Sequence, residues 1–341
     1  MTARLELKQQ WARRAPRRLR RWHLARDYAR YLDRERLSAE ALLSRLQGVP
    51  EGRARFAPDS TGLSAAKVRV AIYGSWEESW MRALGPESEI WAGLRAVTEV
   101  RTFAGTTAEL EQYAAAAETP LLVIPLVETH ALAVPDALRA RQPRREVIRL
   151  LAHKARAATY LATRWPDCLP RNYATIEAVT YPCIVKTVAG CGSVGVTVVE
   201  SPTALLDVLQ THWLAGEGVV IQDFVPGERE QVTHAMCAAG KLLWHCTLEK
   251  PQCLNPHARG GDFLAETVLQ STSSGILGIL QNLVAELDYS GPLCVDYRLC
   301  EGRPVIFEIN PRFGGSLMAP RFRSLLRESI HVLIDSLPSL A

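Results

Sequence analysis

The stretch whose reading decides the fold is Leu293–Ser316, LCVDYRLCEGRPVIFEINPRFGGS. It reads as two β-strands around a short turn. Side-chain alternation puts Asp296 and Arg298 on one face of the first strand, and Glu308 and Asn310 on one face of the second. Glu301-Gly302-Arg303 supplies a three-residue turn, with Gly302 for a left-handed position and Pro304 at the first residue of the return strand. Counting pairs outward, Cys300 faces Pro304, Arg298 faces Ile306 and Asp296 faces Glu308. Two carboxylates then stand roughly 5 Å apart, beside the amide of Asn310. Like charges directly opposite one another destabilise a sheet unless something compensates them. A hard divalent cation such as Mg²⁺, held by carboxylates together with nucleotide phosphates, is the natural compensation. The competing reading is a surface hairpin with solvated acids. The residues after Asn310 tell against it, because Pro311-Arg312 adds a fixed cation and Gly314-Gly315-Ser316 a flexible, amide-rich turn.

Upstream, Tyr181–Glu200 (YPCIVKTVAGCGSVGVTVVE) places Gly190, Gly192 and Gly195 in a G-x-G-x-x-G pattern. A dinucleotide fingerprint needs a helix after these glycines. Here Val196-Thr197-Val198-Val199 follows, a β-branched run that favours a strand. The glycines therefore cap a hairpin that can fold over a triphosphate, with backbone N–H groups aimed at phosphate oxygens. Lys186 lies on the incoming strand, within reach of those phosphates. A protein kinase is rejected, since H-R-D and D-F-G are both missing.

The rest of the chain falls into three parts. Residues 1 to about 47 are helical, and a Gly/Pro-containing linker runs to Gly62. Strands over 67–73, 97–103 and 121–127 alternate with helical stretches such as 107–117, which predicts a small, mostly parallel sheet. Gly74 stands alone after the first strand, so this domain is a degenerate Rossmann-like scaffold and not a dinucleotide site. Arg144–Arg164 reads as one amphipathic helix carrying Lys154, a residue that spacing alone would leave in solvent. Ser201 caps a helix to about Leu214, and strands follow at Gly218–Val225, Gln231–Cys237 and Lys241–Cys246. Leu248–Gly261 is expected to be a loop bearing Lys250, His257 and Arg259, and Ile276–Leu287 a buried helix.

With 341 residues, 48% apolar and 22% charged, the chain has the composition of a globular protein of two or three subdomains. It contains no apolar run of 18 residues and no signal-peptide core, so neither a membrane span nor secretion is expected. Its eight cysteines show no CxxC pair or zinc spacing, and read as thiols of a reducing cytoplasm. The net charge of +4 divides unevenly, with residues 1–30 carrying +8 and the remainder −4. No recognised nucleic-acid fold follows the basic run, which reads as a helical extension packed on the body or on a partner subunit, in a homodimer or with a pathway partner.

Four motifs in order resemble the ATP-grasp superfamily, over roughly Arg144 to the C-terminus: Lys154 on a helix, IVK at Ile184–Lys186 with its glycine hairpin, VVIQDFVPG at Val219–Gly227, and the closing Asp296–Ser316 stretch. The closing motif is most similar to ATP-grasp proteins related to the carbamoyl-phosphate synthase large subunit and to amino-acid ligases. The resemblance implies an α/β and α+β chain. Its parts would be a basic extension and linker (1–62), a pre-ATP-grasp domain (63–143) and an ATP-grasp domain (144–341), the last divided into a lid over about 166–218 and a C-terminal subdomain from about 219. It implies ATP contacts from Lys154 and Lys186, cover from Gly190, Gly192, Ser193 and Gly195, adenine at the Gln222, Asp223, Phe224 and Val225 backbone, and ribose at Glu230. It implies Mg²⁺ or Mn²⁺ at Asp296, Glu308 and Asn310. Catalysis would rest on Lys186, Asn310 and Arg312, with substrate contacts from Lys250, Arg259, Arg298 and Ser316. Gln222-Asp223 departs from the family's common Gln-Glu, and Cys294 stands where D-alanine ligases carry Arg. The implied activity is an ATP-dependent carboxylate–amine ligase acting on small molecules. The alternatives are a carboxyphosphate-forming enzyme that uses bicarbonate, and a non-catalytic nucleotide-binding scaffold.

Overall fold

A computed structural model describes residues 15–47, 67–104, 106–190, 195–251 and 266–337. Gly192, Ser193, His257 and Arg259 therefore lie outside the described residues. The first element is a long helix, α1 (Arg17–Gln47). The α/β domain follows as β1 (Val68–Tyr73), α2 (Glu78–Leu84), β2 (Val97–Phe103), α3 (Thr107–Ala115), β3 (Leu121–Pro125) and α4 (Glu128–Ala133). Its three strands are parallel in the order β2-β1-β3, as the alternation predicts. Every residue of β1 is buried, Arg69 included, whose guanidinium donates to the Tyr113 carbonyl at 2.6 Å.

The expected helix over Arg144–Arg164 is two helices, α5 (Arg145–Leu151) and α6 (Lys154–Ala162). The break at Ala152-His153 puts Lys154 at a helix start. Its backbone N–H donates to Val188 O at 3.0 Å. The lid consists of β4 (Cys183–Thr187), β5 (Val196–Val199), α7 (Pro202–Ala215) and β6 (Val219–Asp223). Its sheet runs β5-β4-β6 with antiparallel pairs, so the glycines cap a hairpin. Strand β6 pairs with β4 in this sheet, and the strands after it form the five-stranded sheet of the C-terminal subdomain.

That subdomain contains β7 (Arg229–Ala238), β8 (Lys241–Pro251), β9 (Val268–Gln270), α8 (Ser274–Glu286), β10 (Gly291–Cys300), β11 (Arg303–Asn310) and α9 (Arg323–Asp335). The sheet order is β11-β10-β7-β8-β9. Strand β8 continues to Pro251, so Lys250 stands on a strand and not in the expected loop.

The closing hairpin differs from the sequence expectation in two compensating ways. Its turn has two residues, Glu301 and Gly302, both with positive φ (51° and 80°). Cys300 consequently faces Arg303, and Arg298 faces Val305. A bulge then leaves Phe307 without a partner and restores Asp296 opposite Glu308. The predicted carboxylate pair forms by a route that residue counting did not foresee.

Helix α1 braces the molecule along its length. Leu24 and Tyr28 join the lid core, and Ala39 and Leu42 join the core of α5, α6, α8, β10 and β11. Tyr28 OH donates to Tyr173 O at 2.8 Å and accepts from Ile221 N–H at 3.1 Å. Replacing Tyr28 with Phe leaves both buried main-chain groups unpaired. That variant is expected to lose about 1–3 kcal/mol of stability in denaturant melts.

Candidate active site

The site is built from four elements that converge on the bulged hairpin. Asp296 and Glu308 face each other across β10 and β11, and Asn310 Nδ2 donates to Asp296 Oδ2 at 3.3 Å. Two lysines hold these acids. Lys250 Nζ lies 3.0 Å from Asp296 Oδ1 and 2.9 Å from Glu230 Oε1. Lys154 Nζ lies 3.0 Å from Glu308 Oε1 and donates to Gly190 O at 3.1 Å, which ties the start of the glycine hairpin to the acid cluster. Lys186 enters from the lid on β4, is 8% exposed, and stands 5.4 Å from the centre of the Phe307 ring. Arg312 is buried, donates to Phe313 O at 2.8 Å, and pairs through Nε with Glu128 Oε1 at 2.8 Å.

Burial and charge act in opposite directions here. Burial draws Lys186 down to about 8 against the pull of Glu308. For Lys250 burial also lowers the pKa, but Asp296 and Glu230 outweigh it and hold the ammonium above its ordinary value. For Asp296 burial raises the pKa, and Lys250, His234 and Arg312 reverse the effect. His234 is fully buried, which draws it to about 4, so its ring is neutral near pH 7. Its Nε2 meets Ser316 Oγ at 2.9 Å, so Ser316 is engaged behind the Gly314-Gly315 turn.

At the hinge the residues take different parts. Gln222 Nε2 donates to Asn172 Oδ1 at 2.9 Å, while its buried Oε1 has no hydrogen-bond partner. Gln222 lines a cleft with Lys154, Ala157, Leu161, Ile306 and Glu308. That combination of apolar walls and an unused acceptor suits a base with an exocyclic amine. The Asp223 carboxylate accepts hydrogen bonds from the hydroxyls of Tyr173 and Thr180, and so faces the lid's own structure. Phe224 and Val225 begin the connection to β7. Arg298, expected at a substrate, instead donates to the carbonyls of Val225 and Arg229 and clamps this connection. A side chain at Gly227 would lie 2.7 Å from Arg298 Nε, so the close approach requires glycine.

Sequence reasoning missed Glu128 and His234, and it placed Lys250 on the wrong kind of element. Lys250 was set in a substrate loop, although extending the β8 alternation places it beside Glu230. Glu128 and His234 carry no local signal, because docking of separate elements creates their contacts.

Among the described residues no group of three or more His, Cys, Asp or Glu side chains is arranged to hold a metal ion. The candidate set is two carboxylates and an amide, all oxygen donors. It fits Mg²⁺ or Mn²⁺ that shares its remaining positions with phosphate oxygens, and it does not form a closed protein cage.

A hairpin lid over an antiparallel sheet, with lysines from both subdomains and acids on the last two strands, defines the ATP-grasp fold. Residues 151–316 match the ATP-grasp domain family, so this part of the chain is an ATP-grasp domain. Solved structures agree on the fold. L-amino acid ligase from Bacillus licheniformis is 16% identical, with 80% of this chain and 78% of that one covered at a TM-score of 0.53. D-alanine–D-alanine ligase from Bacillus anthracis is 16% identical (79% and 95% covered, TM-score 0.51). Phosphoribosylamine–glycine ligase from Thermotoga maritima is 17% identical (75% and 70% covered, TM-score 0.56). No curated protein matches the chain by sequence. No helix among the described residues is long and apolar enough to cross a membrane.

The state of Lys186 yields a stability test. Below about pH 8 the folded chain bears a charged, buried ammonium. Between about 8 and the unfolded value of ~10.4 the unfolded chain binds more protons, so this residue's contribution to stability rises with pH. Lys186→Met should therefore melt at a higher temperature than wild type at pH 7. That advantage should shrink as melts are repeated from pH 8 to 10.

Proposed function

We propose that this protein is an ATP-dependent ligase that activates a carboxylate as an acylphosphate and joins it to an amine, releasing ADP and phosphate. One observation carries the reading: Lys154 and Lys250 pair with two cross-strand acids, Lys154 also holds the start of the glycine hairpin at Gly190, and the buried Lys186 stands over Phe307 beside Glu308. Phosphoryl transfer requires charge neutralisation and positioning more than covalent help, and this set supplies both. The ligase names of the structural neighbours support the same class of chemistry.

Two balanced steps follow. A carboxylate oxygen of the acid substrate attacks the γ-phosphorus, the bond to the β-phosphate oxygen breaks, and ADP leaves. The amine nitrogen then attacks the acyl carbon, phosphate leaves with the bonding pair, and the nitrogen gives up a proton. Asp296, Glu308 and Asn310 would hold Mg²⁺, which when bound neutralises phosphate charge. Lys154 and Lys186 neutralise the phosphates from the body and lid sides, and Lys250 does so from β8. Arg312, steadied by Glu128, stabilises the oxyanions that develop at the end of the hairpin. Gln222 Oε1 accepts from the base amine. An acylphosphate hydrolyses if water reaches it, so this reading requires the glycine hairpin to close over the site. The substrates proposed are amino-acid-like.

A coupled ADP-release screen over amino acids, singly and in pairs, with bicarbonate as a separate arm, tests the reading. Turnover that needs both an acid and an amine is expected. Stimulation by bicarbonate alone, or ATP binding with no ADP from any arm, overturns it. Lys250→Met and Glu308→Gln should each lower ADP release by about 100-fold or more. Gln222→Leu should reduce the preference for ATP over GTP by about tenfold, measured as the ratio of kcat/KM values.

A further inference from the structure

The nucleotide site does not end at the two subdomains that enclose it, because α1 reaches its back wall. Glu35 of α1 is 5% exposed and accepts from Arg156 Nε at 2.8 Å. It also lies 3.6 Å from His153 Nε2 and 3.3 Å from Arg34 Nε. One turn earlier, Tyr31 OH meets His153 Nε2 at 3.4 Å. His153 is the residue immediately before Lys154, at the start of α6. The Tyr31 ring also lies against Gly218, where an added Cβ would stand 2.5 Å from Tyr31 Cζ. Gly218 O in turn accepts from Val188 N–H at 3.1 Å, and Val188 O accepts from Lys154 N–H at 3.0 Å. The contacts close a ring that runs from Tyr31 through Gly218, Val188, Lys154 and His153 back to α1. Ala155, Val188 and Val220 form a small apolar cluster inside it, with Tyr31 packed on the outside.

The ring joins the ends of two lid strands to the helix start that carries a phosphate lysine. We infer that Glu35 and Tyr31 are positioning residues of the nucleotide site, and that α1 fixes where Lys154 stands relative to the lid. Three physical points support this. A carboxylate is buried at low cost only where a cation meets it, and Arg156 on α6 is that partner, while the His153 ring, which burial keeps neutral near pH 7, packs beside it. Burial alone would push the Glu35 carboxyl up, yet the Arg156 guanidinium beside it holds it below its ordinary range, which keeps the Glu35–Arg156 pair ionised. The connection before α6 is the Ala152-His153 break, so α5 alone does not fix the direction in which Lys154 leaves the helix.

This inference rests on the nucleotide reading of the site, and two independent readouts separate them. The full chain is used throughout, with Glu35→Gln and Tyr31→Phe as test variants and Asp27→Ala as the control. Asp27 braces α1 to the lid elsewhere, accepting from Trp213 Nε1 at 3.1 Å. The first readout is the calorimetric affinity for Mg·ATP. Glu35→Gln should weaken it about tenfold, or about 1.4 kcal/mol, and Tyr31→Phe about threefold. Asp27→Ala should lower the melting temperature and leave the affinity unchanged. The second readout is amide hydrogen exchange over residues 153–157 without nucleotide, which should quicken about tenfold in Glu35→Gln and stay at the wild-type rate in Asp27→Ala. Wild-type affinity in Glu35→Gln, or an equal loss in Asp27→Ala, overturns the inference. If wild type binds no ATP, the nucleotide reading fails. Exchange then decides the positioning claim: quickened exchange in Glu35→Gln supports it, and an unchanged rate overturns it. Should Glu35→Gln fail to fold, Tyr31→Phe is judged on the same two readouts.

Discussion

A like-charge pair across a β-hairpin is the constraint on which this molecule depends. Asp296 and Glu308 oppose each other in register, and a sheet alone gives no reason to tolerate that. Their compensation comes from distant parts of the chain: Lys154 from a helix start, Lys250 from β8, and Arg312 from the turn beyond Asn310. Each cation is recruited by burial as much as by charge, since the same enclosure that lowers Lys186 makes the neighbouring ion pairs strong. The hairpin is therefore the point at which the lid, the sheet and the α/β domain must agree. Glu128 shows the agreement extending to the first domain, because it meets Arg312 from the start of α4.

The bulge at Phe307 links that constraint to the lid. An extra residue in β11 restores the acid pair and turns one aromatic ring toward two cations, Lys186 and Arg298, each 5.4 Å from its centre. Arg298 in turn holds the carbonyls of Val225 and Arg229, where the chain leaves the lid sheet for β7. One irregular residue thus contacts both the buried lysine of the lid and the arginine that clamps the connection to β7. A bulge beside a site often re-aims a side chain in this way. Here it also corrects the register that a two-residue turn would otherwise displace.

How much of this was legible in the sequence depends on the range of each interaction. Strands with strict alternation, the parallel first sheet and the glycine hairpin were readable, because β-branched runs and isolated glycines act locally. The Asp296–Glu308 pairing was readable as well, although the count rested on a turn one residue too long and a bulge left out. The break at Ala152-His153 was not readable, since the apolar pattern of Arg144–Arg164 continues through it. Lys250 was misplaced because Pro251 and the Gly/Pro-containing residues after it suggest a loop, whereas β8 extends to that proline. Arg298 shows the opposite failure. Its position beside the acids was read correctly, but the direction of its side chain is set by the carbonyls of a hinge that no local pattern describes.

The charge inventory explains how so many charged side chains share one buried site. Lys154, Lys186, Lys250 and Arg312 face Glu128, Glu230, Asp296 and Glu308, so four cations stand among four carboxylates. Nucleotide binding need not create that balance; it exchanges partners within it. On the proposed function, lysines released from carboxylates would turn to phosphates, and the freed carboxylates would hold the divalent cation that accompanies them. Each half of the exchange compensates the other, so the barrier to entry is one of rearrangement and not of uncompensated charge burial. The same logic makes truncation of Lys154, Lys250 or Arg312 costly, since removing any of these leaves a buried acid without its ion-pair partner, whereas Lys186 makes no such pair among the described residues. On this view the acids opposed on the hairpin both store the site's cations and form the cradle for its metal.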